Sequence, residues 1–332
     1  MAETRLTNAI VPDVFTGYTV EPTIYRSRFY KSGVLAINAG ISGLLSGGGE
    51  TYNLPFWQDI AGTSGDVPVE GTDATVNNLA AKKQIFRKQA RNKVWGSNDL
   101  VPVFSGSDPI TAAGDMVMNY WSQAYDIIAA KSIYGVILDN VANDSGDLVN
   151  DVSGGTGSAS YFSDDAVIDA QAKLGENGTV GRGDQTDFAA ILVHPATYAY
   201  MRKQDLIDFI PVSGQARPVE MYMGMEVIVD RNATLVSTVY YSYIFKPGFL
   251  QYGTTTAGYI PTELERDALD GFGIDKLITR RVFAIHPVGF QFVETGVSGV
   301  TPTDAELAAA AQWDRVFNAE NVGMVCLKHK LP

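Results

Sequence analysis

The three histidines have the most direct catalytic potential in this sequence, because an imidazole titrates near neutral pH. His194 and His286 each precede a proline at the end of an apolar segment, where a capping or packing role is favoured, and His329 lies near the carboxyl terminus. No nucleophile elbow, phosphate-binding loop or metalloprotease motif accompanies them. The single Cys326 excludes a Cys-pair metal site. The sequence therefore predicts no catalytic centre and no bound metal or cofactor.

Carboxylates are the other groups that could do chemistry, and several crowd a loop over residues 143–160. The loop could bind Ca²⁺, but it lacks the ligand spacing and the terminal Glu of an EF-hand, so a solvated loop is the favoured interpretation. A carboxylate-dependent hydrolase, which would need paired carboxylates in a cleft, stays as an alternative function. The loop residues are Asp144, Asp147, Asn150 and Asp151.

A strongly basic stretch, AAKKQIFRKQARNKVWGSND, stands out in a chain whose formal net charge is -12. Residues 74–98 contain no Asp or Glu, whereas the segment from Asp59 to Asp73 is acidic. The pattern predicts a long, solvent-exposed hairpin or loop with opposite charges facing each other. Apolar residues at roughly helical spacing also leave a helix open for residues 78–95. The cations are Lys82, Lys83, Arg87, Lys88, Arg91 and Lys93.

Length and composition indicate a folded globular protein. The chain has 332 residues, of which 45% are hydrophobic and 11% aromatic, enough for a buried core and for more than one compact subdomain. No run of about 18 apolar residues and no signal-peptide pattern occurs, so we expect a cytosolic protein without a membrane span. The acidic balance argues against wrapping nucleic acid, which requires clustered Lys and Arg.

The elements that must position these side chains begin with an arm and a long helix. Residues 1–33 carry Pro12 and Pro22 between apolar and aromatic groups, which favours an extended arm. Asp108 is a suitable N-cap and Pro109 a suitable first residue for a helix of about eight turns. The apolar face of that helix comprises Ile110, Ala113, Val117, Trp121, Ala124 and Ile128.

The rest of the chain mixes helix and strand signals. A helix is predicted after Ser163, and a buried strand followed by a helix is predicted around His194. Residues 219–253 are rich in β-branched and aromatic side chains, which favours strands. Two further strands, a helix and a short strand complete the chain. The pattern predicts an α+β fold.

Motifs in a fixed order along nearly the whole chain resemble the major capsid proteins of tailed double-stranded DNA bacteriophages, which have the Hong Kong 97-like fold. They are a G-x-DP helix start, a YW pair, a strand before HPATYAYMRKQDLIDFIP, a G-x-x-VIVD strand and a closing W-x-RV…N-x-G-x-V segment. None is catalytic, and the order is what makes the resemblance specific. The motifs occupy Gly106–Pro109, Tyr120 and Trp121, His194–Pro211, Gly224–Asp230 and Trp313–Val325.

The resemblance implies a division of the chain into an N-terminal arm, an extended loop, a peripheral domain and an axial domain. The arm would cover residues 1–33 and the extended loop residues 58–104. The peripheral domain would cover residues 34–57, 105–185 and 260–332, with a spine helix at about 108–140, and the axial domain residues 186–259.

The resemblance also implies a structural role and no enzymatic activity. Copies of the chain would form the pentamers and hexamers of an icosahedral head that encloses double-stranded DNA without sequence-specific binding. A separate scaffolding protein and a portal are the implied partners, the presence of a decoration protein is left open, and no membrane is involved. The implied location is the virion, after assembly in the host cell cytoplasm. The alternative within this fold is a nanocompartment shell protein, which holds enzymes.

Under this resemblance, the basic stretch and the arm are expected to contact neighbouring subunits. The six cations named above would meet acidic surface on an adjacent copy, because the excursion buries little of its own chain. The alternative is a solvated face, or pairing within the loop to Asp59, Asp66, Glu70 and Asp73. The arm would contribute apolar contacts through Phe15, Tyr18, Tyr25, Phe29 and Tyr30.

Overall fold

The computed structural model describes residue 29 and residues 32–60, 67, 70–71, 73, 76–176, 188–211 and 218–332. Four of the arm aromatics, Phe15, Tyr18, Tyr25 and Tyr30, lie outside these residues, so their expected contacts stay a prediction. Within the described ranges, no helix has the length and apolar character needed to cross a bilayer.

The described chain contains both helices and strands, and most strands lie in its second half. The helices are α1 (Ala39–Leu45), α2 (Leu100–Ser105), α3 (Pro109–Asn143), α4 (Asp164–Glu176), α5 (Pro195–Lys203) and α6 (Asp304–Leu307). The strands are β1 (Leu35–Ile37), β2 (Thr51–Trp57), β3 (Ala81–Arg87), β4 (Gln89–Asn98), β5 (Val149–Asp151), β6 (Ala190–Val193), β7 (Asp208–Ile210), β8 (Val219–Tyr222), β9 (Met225–Val229), β10 (Leu235–Val236), β11 (Val239–Phe245), β12 (Leu250–Thr255), β13 (Thr262–Asp267), β14 (Ile274–Pro287), β15 (Phe290–Phe292), β16 (Trp313–Arg315) and β17 (Met324–His329).

The larger of the two main sheets has eight strands. Its order is β5-β17-β11-β6-β9-β8-β7, and β10 also pairs with β11. Strand β6 runs parallel to β9, and the connection between them contains α5, as a parallel pair requires. The strands expected over residues 219–253 are present here as β8 to β11 and in the second sheet as β12.

The second sheet is built around the long strand β14. The first part of β14 pairs with β13 and its last part with β12, while β4 lies along its opposite edge. Strand β1 pairs in parallel with β12, which ties the segment after the arm into this sheet. Helix α1 packs closely on β12. The absence of a side chain at Gly253 permits this, since a Cβ there would lie only 2.6 Å from Cγ2 of Ile41.

The long predicted helix is present as α3 and starts where the sequence predicts. The Asp108 carboxylate accepts hydrogen bonds from the backbone N–H groups of Ile110 and Thr111, and Pro109 is the first helical residue. Proline fits this position because the first turn leaves its N–H groups without helical partners. The helix ends at Asn143, slightly beyond the predicted end.

The two halves of α3 have different surroundings. Between Pro109 and Tyr120, all of which the structure describes, only Val117 is buried. Val117 packs with Trp121 and Leu277 in a small apolar cluster. From Ile128 onward the helix enters the main core, which it shares with α4 and the eight-stranded sheet. The second half therefore anchors the helix, and the first half projects from the core.

The histidines have structural roles. Nδ1 of His194 accepts a hydrogen bond from the backbone N–H of Ala196 at 3.1 Å and caps α5, which confirms the predicted capping role. His286 and His329 are buried, and burial lowers the pKa of each to about 4. Nε2 of His329 lies 2.9 Å from the hydroxyl of Ser242. Both buried imidazoles are therefore neutral at pH 7.

Asp139 places a carboxylate in the core near the end of α3, where it is 0% exposed. Nδ2 of Asn143 donates to Oδ1 of Asp139 at 2.6 Å, whereas Oδ2 has no hydrogen-bond partner among the described residues. Burial raises the pKa of Asp139 to about 6, and the nearby Asp144 and Asp314 add to this effect, while Arg315 opposes it.

Gly135 allows α3 to touch the segment that follows α6. The indole N–H of Trp313 donates to the carbonyl oxygen of Leu307 at 2.8 Å in a buried position. A Cβ at Gly135 would lie 2.6 Å from Nε1 of Trp313 and still closer to that carbonyl oxygen. Since the carbonyl belongs to the backbone, a side chain here must displace the segment.

We expect Gly135→Ala to destabilise the unassembled subunit by about 2–4 kcal/mol, because it overpacks the core and breaks a buried hydrogen bond. Gly114→Ala is the matched control, since a Cβ at Gly114 meets no atom of the described residues within 4 Å. The control should stabilise α3 by about 0.5–1 kcal/mol through helix propensity. Urea denaturation measures both, and equal shifts of the two variants in the same direction would contradict the assignment.

We expect Asp139→Asn to stabilise the unassembled subunit by about 1–3 kcal/mol at pH 7.5. A carboxyl whose pKa is raised by folding opposes folding above the folded pKa of about 6. The destabilisation by the Asp139 carboxylate decreases as the pH falls through about 6 towards 3.8, the ordinary pKa of an Asp side chain. The advantage of Asn should therefore vanish near pH 4. Denaturation at several pH values tests this. Asp169→Asn, at an exposed site, should show no such pH-dependent gain.

Candidate intersubunit interface

The basic stretch forms two β-strands, which settles the choice between strand and helix that the sequence leaves open. Strand β3 pairs antiparallel with β2, from Thr51 opposite Arg87 to Trp57 opposite Ala81. After Lys88, strand β4 continues along β14. Residues at helical spacing do not share one buried face, since Phe86 is buried and Val94 is exposed. Long-range pairing with β2 and β14 decides the conformation.

Strands β2 and β3 form a ribbon of two strands with different faces. On one face, Tyr52 stacks on Phe86 with ring centroids 5.2 Å apart, and Phe56 packs edge-on against Phe317 at 4.7 Å. Trp57 lies on the opposite face and is 68% exposed. A hairpin of two strands is only marginally stable in water, so the ribbon depends on contacts at its base.

Gln84 anchors the base of the ribbon to β14 and the turn after it. Its side-chain oxygen accepts a hydrogen bond from the backbone N–H of Gly289 at 3.1 Å, and Nε2 of His286 lies 3.2 Å from the same oxygen. All three groups are buried, so these bonds form away from competing water. The contact fixes where the ribbon leaves the body of the subunit.

Arg87 is a buried cation, which corrects the expectation that its side chain meets an adjacent copy. The residue is 4% exposed. Its guanidinium pairs with Glu50 at 2.7 Å and Glu294 at 3.2 Å and donates to the carbonyl oxygen of Val300 at 2.7 Å. The sequence could not reveal this role, because two of the partners lie more than 200 residues away along the chain.

Arg91 and Lys88 also make contacts within the chain. Arg91 is partly buried, pairs with Asp304 at 3.1 Å and donates to the carbonyl oxygen of Pro302 at 2.7 Å. Lys88 donates to the carbonyl oxygen of Gly47 at 2.9 Å. Among the described residues, the carboxylates that pair with Arg87 and Arg91 are Glu50, Glu294 and Asp304, which lie outside the loop of residues 59–73.

The remaining cations, Lys82, Lys83 and Lys93, are exposed and make no ion pair among the residues that the structure describes. Lys93 lies over the ring of Tyr120, with Nζ 5.9 Å from the centroid. Lys82 lines a polar cleft beside the ribbon. Lys83 lies opposite Pro55 in the register and therefore shares the outer face with Trp57.

Phe29 is the one expected arm contact that lies among the described residues, and its position corrects the prediction. The ring is 1% exposed and belongs to the main core of its own chain. The backbone N–H of Leu35 donates to the carbonyl oxygen of Phe29 at 3.2 Å. Phe29 therefore stabilises the subunit and is not free to contact a neighbour.

The polar cleft at the root of the ribbon has a volume of about 520 Å³. Two of the carboxylates that line it, Asp144 and Asp147, are bound to Arg315 at 3.2 Å and 2.8 Å. A hydrolytic pair would need a free carboxylate as the base and a carboxyl group with a raised pKa as the acid, both in contact with a substrate. Asp144 and Asp147 instead bind the guanidinium of Arg315. Nowhere in the described part of the chain are three His, Cys, Asp or Glu side chains arranged to hold a metal ion.

Sequence reasoning missed the exposure of α2 and of the first half of α3. Val103 is 70% exposed, Phe104 54% and Met118 70%. A signal was present, because the apolar face predicted for the helix is narrow and residues 100–130 contain Asp but no Lys or Arg. All three side chains are apolar and exposed.

Comparisons with known proteins identify relatives of this chain. No family model matches the chain. The chain is 35% identical over 338 residues to the major capsid protein of Bacillus phage SPP1, covering 100% of this chain and 99% of that protein. The capsid of Ralstonia phage GP4 has a TM-score of 0.59 at 12% identity, covering 100% of this chain and 99% of that chain. The SrpI encapsulin of Synechococcus elongatus PCC 7942 has a TM-score of 0.52 at 9% identity, covering 95% and 91%.

The two structural likenesses show the fold alone, and they confirm the α+β, Hong Kong 97-like fold that the sequence predicts. The sequence relative decides between the capsid and the encapsulin, because its identity extends over the full length of both chains. The relative is a structural component of a virion and not an enzyme. This chain belongs to the family of phage major capsid proteins.

Proposed function

We propose that copies of this chain form the pentamers and hexamers of an icosahedral phage head that encloses double-stranded DNA. The observation that carries the proposal is the ribbon of β2 and β3, which exposes large apolar side chains at its outer end. Trp57 is 68% exposed, Ile60 75% and Leu79 50%. Such exposure is costly in an isolated subunit and is relieved when a neighbouring copy covers the side chains.

Other exposed apolar side chains support several contacts for each subunit. Leu269 is 98% exposed and Phe272 70% at the turn between β13 and β14. Phe209 is 50% exposed on β7, the last strand of the large sheet. An unpaired edge strand with an exposed aromatic ring is a surface that a partner can cover. A closed shell requires more than one such surface on every subunit.

The exposed lysines carry the electrostatic part of the proposal. Lys82, Lys83 and Lys93 meet acidic surface on adjacent copies, with smaller contributions from the partly covered Lys88 and Arg91. Arg87 has no part in these contacts, because its guanidinium is paired with Glu50 and Glu294 of the same chain. The arm aromatics Phe15, Tyr18, Tyr25 and Tyr30 add apolar contacts, as the sequence predicts.

The proposal includes partners and a setting. A separate scaffolding protein and a portal act with the shell, and assembly takes place in the host cell cytoplasm. The net charge of -12 supports a DNA container, since a surface that bound phosphate strongly would hold the genome back during packaging. The domain boundaries given above stay predictions.

Electron microscopy of the purified full-length protein, over a range of concentration and salt, tests the proposed assembly. We expect closed shells with pentameric and hexameric clusters. Discrete monomers under all conditions would contradict it. Particles recovered from infected cells separate the phage head from a nanocompartment, because a head contains DNA and a nanocompartment contains an enzyme.

We expect Arg87→Met to destabilise the unassembled subunit by about 1–3 kcal/mol, because it removes charge-assisted hydrogen bonds of a buried group. Lys83→Met makes the same replacement of a cation by an apolar chain at an exposed position of the same strand. It should leave the melting temperature unchanged. Thermal unfolding followed by circular dichroism measures both variants, and equal melting temperatures would show that Arg87 does not hold the ribbon.

A further inference from the structure

The loop of residues 268–273 joins β13 to β14 and has a fixed base and an exposed tip. Residues 268–272 are all exposed, whereas Gly273 is buried. The backbone N–H of Asp99 donates to the carbonyl oxygen of Gly273 at 3.0 Å, which holds the end of the loop. At the tip, Leu269 is 98% exposed and Phe272 is 70% exposed. The subunit itself therefore leaves the tip uncovered.

The tip is a tight turn with a strained backbone. The backbone N–H of Gly273 donates to the carbonyl oxygen of Asp270 at 2.9 Å, so residues 270–273 form a four-residue turn. The angle φ is +55° at Gly271 and +99° at Phe272. Glycine adopts such values readily, whereas an aromatic residue does so only at a cost in free energy. An exposed turn with a strained residue opens more readily than a buried strand.

Asp270 and Gly271 carry two groups that can react with each other. An aspartate followed directly by glycine occurs once in the sequence, at this position. The carboxylate of Asp270 is exposed and has no ion-pair or hydrogen-bond partner among the described residues. The backbone N–H of Gly271 donates to no acceptor within the same part of the chain. Glycine also places no side chain beside its own nitrogen. An electrophilic carbon and an unhindered nitrogen therefore lie on adjacent residues.

We propose that Asp270 is a modification site at which the aspartate converts spontaneously to isoaspartate. The backbone nitrogen of Gly271 attacks Cγ of Asp270. The new C–N bond forms, the bond from Cγ to the hydroxyl breaks, and the hydroxyl leaves with the amide hydrogen as water. Water then adds to the resulting succinimide and breaks the bond between the nitrogen and the original backbone carbonyl carbon. The chain now continues through the side-chain carbonyl, and the water lost is replaced, so no oxidant or reductant is needed.

The conversion changes the loop without changing its composition. An isoaspartyl linkage adds a methylene to the main chain and leaves the carboxylate on the α-carbon. The added rotatable bond lies directly before Gly271, in the turn that holds Phe272 at a φ of +99°. Leu269 and Phe272 lie on opposite sides of this bond, so their relative positions change. This chemistry takes place within one subunit and does not depend on the proposed shell assembly.

Two other aspartates in the same region serve as internal controls. Asp267 accepts a hydrogen bond from the backbone N–H of Leu269 at 3.3 Å and lies 3.8 Å from Nζ of Lys276. Asp275 lies in β14 and pairs with Arg266 at 3.1 Å. Neither aspartate is followed by glycine. We expect both to remain ordinary aspartates under conditions in which Asp270 isomerises.

Peptide mapping of the aged protein tests the proposal. The unassembled full-length protein is incubated in the folded state and, as a reference, unfolded in urea. Trypsin releases residues 267–276 as one peptide that contains all three aspartates. Fragmentation by electron transfer then distinguishes isoaspartate from aspartate at each position. We expect isoaspartate to accumulate at Asp270 in the folded protein, at a rate within severalfold of the unfolded reference, and not at Asp267 or Asp275.

Variants of the two reacting residues test the mechanism. Asp270→Glu keeps the charge, but its longer side chain would have to close a larger and less favourable ring, so the modification should be lost. Gly271→Asn keeps the turn, since asparagine tolerates a positive φ, but its side chain hinders the nitrogen and should slow the reaction severalfold. Gly258→Asn is the matched control, because Gly258 is exposed with a φ of +82° and a Cβ there meets no atom of the described residues within 4 Å. It should leave the rate at Asp270 unchanged.

Several results would overturn the proposal. If the unfolded reference forms isoaspartate and the folded protein does not, the loop protects the site. Absence of isoaspartate from both samples, or equal accumulation at Asp267 and Asp275, also contradicts it. An unchanged rate in Gly271→Asn excludes the attack by the Gly271 nitrogen. For a variant that melts early, the comparison of the three aspartates in the wild-type protein decides the outcome.

Discussion

The buried charge of Arg87 is the interaction on which the geometry of the exposed ribbon depends. Its guanidinium joins the start of β2 through Glu50 to the segment after β15 through Glu294 and Val300. A pair of strands has too few contacts to hold a direction in water. Arg87 and Gln84 supply that direction at the base, so the outer half of the ribbon can expose side chains without losing its position.

The two halves of helix α3 have different roles. Its 35 residues make a rod about 50 Å long. The second half contributes most of its side chains to the main core, with Ile133 and Ile137 fully buried, while the first half packs through the small cluster of Val117, Trp121 and Leu277. A rigid element clamped at one end can present a surface at a fixed distance and angle. A separate loop would not hold that surface in place.

Local signals in the sequence predicted the helices and strands well, whereas long-range contacts determine how the side chains of the candidate interface are arranged. Asp108 and His194 cap helices because capping involves only neighbours in the chain. The fate of the basic stretch depended on β14 and on Glu294, which no local pattern contains. Phe29 looked like an arm residue for the same reason, since almost all residues of the core cluster that contains it lie far along the chain. Charge alone did not tell a buried arginine from an exposed lysine.

The parallel pairing of β1 with β12 has a mechanical consequence. Leu35, Ala36 and Ile37 align with residues 250–252 in the same direction. A tension along β1 therefore loads these backbone hydrogen bonds together, in shear, whereas a peeling force would break them one at a time. Force arriving through the preceding residues passes into β12 and from there into β14. The subunit thus contains a strong point of attachment where its amino-terminal segment joins the folded body.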